Sequence, residues 1–334
     1  MSVLLFKLSF SLGSELLIFL DMLVELMQIN LNKPMQIILM SIGILFALLS
    51  MITYGTSELF AKRCMNNLNP ASFAVYRLLF SSLFLLPVFI FVPFVIPRFT
   101  EVLILAGIGL LGAIPYFFYL KAIQKGEVSI ASPVSKSAAL FTVILSAIFF
   151  QEKLPYYKYG AMIVLITAVF FISFNVNEIR KLRIHRLFEG LEFALLAAIG
   201  WGVVYFLIKF NVNIIGPYYA AFFLEFFVFI FTCLGVKLFA NKNESKNSNN
   251  IIEFNRIPAK IKWFIIIGAG CVSLGTLFYS LAISHELVSI AVMITKSTPI
   301  ITVLGGQLLL KERLSIQQNI SAVMIIAGIL LITL

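Results

Sequence analysis

Long apolar runs recur along the whole chain, and a run of about 20 such residues is what a helix needs to cross a hydrocarbon layer. Residues 37–52 and 162–174, for example, contain no charged side chain. Outer-membrane barrel strands instead alternate apolar and polar residues over about ten positions, and that alternation is missing here. Charged residues make up 12% of the 334 positions, about half of the roughly 25% used by soluble chains. That is too little to cover a water-soluble surface, so soluble enzymes, disordered chains and disulfide scaffolds are excluded. The net charge of +10 comes from basic residues placed mostly between the apolar runs, where they set membrane orientation. Nucleic acid is therefore not an expected partner; the lipid bilayer is.

The pattern predicts an all-α polytopic membrane protein with ten transmembrane helices, at 36–58, 71–95, 101–121, 127–150, 157–175, 189–209, 217–239, 262–284, 287–310 and 316–334. Turn-forming residues separate them: Asn69-Pro70, Pro97-Arg98, Gly126, Gly216-Pro217 and the Lys311–Arg313 cluster. Residues 1–34 form an N-terminal extension carrying Lys7, Glu15, Asp21 and Glu25. Each charge at a helix centre costs about 2.5–3.5 kcal/mol, so the extension reads as an interfacial helix or a misassigned start, with Met35 opening a more conventional membrane protein. Residues 240–260, rich in Asn and Lys, read as a solvated loop.

An internal repeat is the strongest signal. Residues 119–174 align without a gap on 279–334, and 15 of the 56 pairs are identical. They include Val128–Ala131 with Val288–Ala291, Lys136-Ser137 with Lys296-Ser297, and Glu152 with Glu312. Shared apolar composition does not produce matched Lys, Glu and Ser. At another offset Tyr54-Gly55 and Lys62 correspond to Trp201-Gly202 and Lys209, and Pro70 to Pro217. The domain organisation is therefore a first repeat at 35–176 and a second at 187–334. Five spans is an odd number, so the second half must lie inverted. Inverted repeats are characteristic of secondary transporters, with the substrate at the midplane between the halves.

The residues of interest are charges at that depth. Lys136 lies nine residues into the fourth span, about 14 Å deep at 1.5 Å per residue, and Lys296 matches it in the ninth. Neither can snorkel easily, so both should face a wet cavity or a fixed partner. Ser129, Ser132 and Lys136 share one helical stripe, and Ser289 with Lys296 repeats the spacing. Pro133 and Pro299 flank the two lysines and free backbone carbonyls there. The functional reading is convergence on an anion bearing a phosphate or carboxylate; the alternative is structural pairing with Glu58 or Glu225. Arg77 and Glu225, one position apart in the repeat, are candidates for a pair or a gate, and Glu58 for a proton-coupling carboxylate. Tyr54, Tyr119, Trp201, Tyr205 and Tyr279 are candidates for the cavity wall.

The 5+5 layout, the Tyr54-Gly55 and Trp201-Gly202 pairs, Asn69-Pro70 and Gly216-Pro217, and Glu152-Xaa-Leu154 with Glu312-Xaa-Leu314 resemble the EamA-type branch of the drug/metabolite transporter superfamily. The resemblance implies a ten-helix basket with a central cavity lined by spans 1–4 and 6–9. It also implies transport of amino acids, metabolites, nucleotide-sugars or sugar phosphates. In the phosphate-carrying members, lysines of the fourth and ninth helices meet the substrate, and Lys136 and Lys296 match by helix and approximate position.

Other signals carry less. Gly107-Xaa-Gly109-Xaa-Xaa-Gly112 lies inside a spanning helix, so it reads as helix packing rather than a dinucleotide site. There is no P-loop, no metal-ligand spacing, no CxxC pair and no catalytic set. No cofactor and no enzyme activity are therefore expected. The expected function is secondary active transport of a small polar, anionic metabolite by alternating access, with a counter-substrate or a coupling proton. The alternatives are broad export of amino acids or drugs and, less consistent with the residues, an integral-membrane lipid enzyme. The expected location is the bacterial cytoplasmic membrane, with an organelle membrane as the alternative.

Overall fold

The computed structural model describes residues 33–65, 68–93, 97–125, 134–173, 190–239, 254–310 and 315–334. Ser129, Ser132, Pro133, Glu312, residues 1–32 and residues 240–253 lie outside the described residues. Among the described residues the structure is helical, without strands: α1 (Lys33–Met65), α2 (Pro70–Phe84), the short α3 (Val88–Phe91), α4 (Phe99–Lys125), α5 (Ala138–Phe149), α6 (Tyr156–Ser173), α7 (Leu191–Phe239), α8 (Ala259–His285), α9 (Val288–Lys296), α10 (Pro299–Leu310) and α11 (Ile316–Thr333). Eight stretches are long and apolar enough to cross a membrane, and residues 134–149 form a shorter apolar helix.

Local chemistry sets the ends. Asn69 caps α2 by accepting from the Ser72 N–H at 2.8 Å, with Pro70 in the first turn where its missing N–H costs nothing. Ser315 and Gln318 form a reciprocal capping box on α11. The spans expected at 189–209 and 217–239 are joined more closely than the sequence suggests. Helix α7 runs 49 residues and breaks only at Gly216, with φ 77° and ψ 165°. Residues 210–215 stay helical because the break needs just one residue free of a Cβ, followed by a proline that starts the second arm.

The chain also breaks at two repeat-matched serines. Ser297 ends α9, its N–H bonded to the Ile294 carbonyl, and α10 begins two residues later at Pro299. Ser137 interrupts the helical turn at 134–136 before α5, its N–H bonded to the Val134 carbonyl. Lys136 and Lys296 are thus each the last residue before a break.

The two halves interlock through glycines. A Cβ built on Gly55 of α1 would lie 2.5 Å from the Ile301 Cβ and 3.0 Å from the Thr298 carbonyl oxygen. On Gly202 of α7 it would lie 2.5 Å from the Phe141 Cβ and 2.9 Å from the Ala138 carbonyl oxygen. Ile301 and Thr298 are the repeat counterparts of Phe141 and Ala138, so each half presses its glycine onto the same place on the other. Small residues permit this close approach, which drives packing where lipid offers no hydrophobic gain. The same arrangement pairs α1 with α8 and α7 with α4, while α6 packs on α11. Gly109 and Gly112 meet Phe227 and Val228 across α4 and α7, the packing role expected for that motif.

At the centre lies α9. Every residue from Val288 to Thr295 is buried, and its neighbours are helices of both halves. Large exposed apolar side chains such as Phe91, Leu103, Ile163 and Leu330 line the outer surface, as a lipid-facing wall requires.

Substituting Gly55→Val or Gly202→Val is expected to lower stability by roughly 1–3 kcal/mol through overpacking, read from unfolding in mixed detergent micelles. Gly160, with nothing near its absent Cβ, should tolerate Ala. Unchanged midpoints for both valine variants would contradict the interlocking.

Candidate functional site

The break residues bring the matched lysines together. Lys136 and Lys296 line one small cleft, whose wall is completed by Ser137, Ala139, Met293 and the apolar Ile166, Val169 and Phe170 of α6. Their immediate partners differ. Lys136 donates to Glu58 of α1 in an ion pair, and also to the Thr298 hydroxyl at 3.3 Å. Thr298 and Thr302 donate to the Glu58 oxygens at 3.4 and 3.3 Å. Glu58 keeps 34% of its side chain exposed against 15% for Lys136, so the carboxylate is the reachable side of the pair.

Lys296 rests on aromatic faces. Its ammonium lies 3.6 Å from the Tyr205 ring centroid and 5.8 Å from that of Tyr54. Contacts of this kind contribute about 0.5–2 kcal/mol, which holds a cation without neutralising it. Lys296 also sits at the C-terminus of α9, where the helix dipole favours positive charge.

Arg77 and Glu225 do not form the direct pair expected from the repeat. Both Glu225 oxygens are taken by hydroxyls, from Ser81 at 2.9 Å and Thr276 at 2.6 Å. The Thr276 proton is spent there, so Tyr54 donates to the Thr276 oxygen at 2.8 Å. Ser273 fixes Ser81 through its carbonyl at 2.7 Å. Short hydroxyl side chains on α2 and α8 reach the carboxylate, while the Arg77 guanidinium carbon lies 5.2 Å from the Tyr116 ring centroid.

The expected aromatic wall separates into two groups. Tyr54 and Tyr205 touch Lys296, while Trp201 packs on Tyr116 and Tyr119 at 5.7 and 5.3 Å between centroids. Tyr279 is fully buried, edge-on to Tyr205 and bonded to its carbonyl, so it supports the wall from behind. Ser289 is buried at the opposite end of α9 from Lys296.

That opposite end holds a charged cluster the sequence reading did not assemble. Glu152, from the first half, accepts from the backbone N–H groups of Val288 and Ser289 at 2.9 and 3.1 Å, capping α9 of the second half. Lys209 of α7 donates to the Ile283 carbonyl. Glu286 accepts from the Leu287 N–H at 2.9 Å, and Lys158 is buried close by. Glu286 lies between two spans, and burial pushes its carboxyl above the ordinary range. The repeat could have pointed to Glu152, but its backbone partners lie 136 residues away.

A bundle of membrane-length helices with cations at paired helix breaks defines a polytopic membrane protein with a polar interior. Its sequence matches the EamA-like transporter family over residues 41–174 and again over 189–334. The chain belongs to the EamA-like transporter family and is an integral membrane protein that transports a small molecule. An uncharacterized transporter of Archaeoglobus fulgidus is 22% identical over 293 residues, covering 87% of this chain and 98% of its own. A solved crystal structure superposes with a TM-score of 0.65 at 17% identity, over 87% of this chain and 98% of that one, which shows the shared fold.

Removing the α9 cap by Glu152→Ala should cost about 1–2 kcal/mol. The exposed Lys153 replaced by Ala should cost little by comparison; equal effects would dismiss the cap. For Glu286 the raised carboxyl means that its contribution is present below the ordinary value near 4.3 and lost as pH rises through the raised one. Glu286→Gln should therefore match the wild type near pH 4 and exceed its stability at pH 8; the reverse order would refute the assignment.

Proposed function

We propose that this transporter carries a small polar anion, bearing a phosphate or carboxylate, by alternating access between two inverted repeats at 35–176 and 187–334. We count ten spans: the long α7 as two across Gly216, and the shorter helix at 134–149 as the fourth. The supporting observation is that repeat-matched Lys136 and Lys296 open onto one cleft. Ser129, Ser132 and Ser289 belong to the same proposed polar stripes. Tyr54 and Tyr205 are the proposed aromatic wall at Lys296, with Tyr119 and Trp201 as a second proposed group and Tyr279 supporting from behind.

The substrate anion meets Lys296 first, because that ammonium is held by ring faces and not by a carboxylate. Binding then competes with Glu58 for Lys136. Displaced from the pair, Glu58 is left exposed and is the natural acceptor of a coupling proton. The groups facing it are Lys136, Thr298 and Thr302, with Arg77 and Lys296 at longer range. Alternating access would carry this site from one side to the other, and the bacterial cytoplasmic membrane is the proposed location.

Uptake into proteoliposomes of phosphoenolpyruvate, 3-phosphoglycerate, malate and glutamate tests this reading. At least one should be taken up, and Lys296→Gln should cut its uptake about ten- to hundredfold, as loss of a charged hydrogen bond implies. Glu58→Gln should keep binding and lose the rise of transport on acidification. Uptake of organic cations but none of these anions would favour broad export instead.

A further inference from the structure

We propose that Arg77 is a substrate ligand, supplying a planar, two-pronged contact to the anionic group that Lys296 attracts. The proposal rests on the anion reading above and adds a residue from the second span to its site.

Two independent observations carry it. First, Arg77 is charged and set well inside α2, yet its Nε is buried without a hydrogen-bond acceptor among the described residues. A guanidinium presents five N–H donors, and leaving one of them unmatched in hydrocarbon is costly. The carboxylate one would assign to it, Glu225, has both oxygens held by Ser81 and Thr276. The guanidinium carbon instead lies 5.2 Å from the Tyr116 ring centroid, a cation–aromatic contact that spends none of its donors.

Second, Arg77 shares its surroundings with Lys296. Its electrostatic neighbours are Glu225, Tyr54, Tyr205 and Glu58. Tyr54 and Tyr205 are the two rings on which the Lys296 ammonium rests. Tyr54 is further tied through Thr276 to Glu225. One aromatic pair is therefore a neighbour of both a lysine of the second half and an arginine of the first.

The charge balance agrees. The Lys136–Glu58 pair is neutral as a unit. Arg77 and Lys296 remain against Glu225, which is engaged by hydroxyls, so a single negative charge on the substrate would balance the interior. Arginine matches carboxylate and phosphate oxygens in a fork that lysine cannot form. Its role is then to orient the anion, where Lys296 supplies attraction.

The test is equilibrium binding of phosphoenolpyruvate, malate and inorganic phosphate to the purified full-length protein, with wild type, Lys296→Gln, Arg77→Gln and Arg77→Lys. Thermal unfolding in the absence of these anions checks that each variant is folded. The expected result is at least tenfold weaker binding for Arg77→Gln of whichever anion the wild type binds. Arg77→Lys should recover only part of that loss, because the charge returns without the fork. A preference for malate over inorganic phosphate would assign the fork to a carboxylate, and the reverse order to a phosphate. If the wild type binds and Lys296→Gln does not, while a folded Arg77→Gln or Arg77→Lys binds as tightly as wild type, Arg77 is not a ligand and the anion reading stands. If the wild type binds none of the three anions, the anion reading and the role of Arg77 fall together.

Discussion

The ends of α9 are the constraint around which the rest is arranged. This nine-residue helix is surrounded by protein, and in a membrane interior its terminal N–H and C=O groups have no water to turn to. At one end Glu152 of the opposite repeat supplies two acceptors to the first N–H groups. At the other, Lys296 places a positive charge where the dipole is negative, and Ser297 closes the turn. A carboxylate from one half and a cation from the other end of the same helix thus complement the dipole together. The helix can begin and stop inside the protein because both ends are satisfied, and where it stops an ammonium reaches the interior cleft.

Lys136, Glu58 and Glu225 obey the same rule in different ways. Lys136 and Glu58 neutralise each other, with Thr298 and Thr302 filling the spare hydrogen-bonding positions. A buried pair left half satisfied would be worse than none. Glu225 is settled by hydroxyls from α2 and α8. The interior is therefore neither a greasy core nor an open pool of charge. Glycine contacts at Gly55 and Gly202 bring the halves close enough for these short side chains to reach across.

Much of this was legible before any coordinates. Apolar runs marked the spans, and the repeat singled out Lys136 and Lys296 because chance does not duplicate a midplane lysine. Pro299 beside Lys296 signalled the break after α9. The pairing of carboxylates was not legible. Arg77 and Glu225 sit one position apart in the repeat, which suggested a pair, but Ser81 and Thr276 take the carboxylate oxygens and carry no charge to advertise the contact. The Glu152 cap was hidden for a related reason. Its partners are backbone N–H groups, which every residue has, so only tertiary structure reveals which are reached. Tyr279 illustrates the limit for aromatics: its repeat match with Tyr119 was visible, its burial behind Tyr205 was not.

The proposed role of Lys296 requires that it face a water-accessible site at the membrane midplane. It is tested most directly in a chain whose native cysteines, Cys64, Cys233 and Cys271, have been replaced. Lys296→Cys is introduced, and reaction with a membrane-impermeant anionic thiosulfonate is followed in proteoliposomes. Modification is expected at Lys296→Cys and none at a lipid-facing control, Ile163→Cys. A transported anion should slow the reaction at Lys296→Cys. No modification at Lys296→Cys, or modification equal to that of the control, would contradict that role.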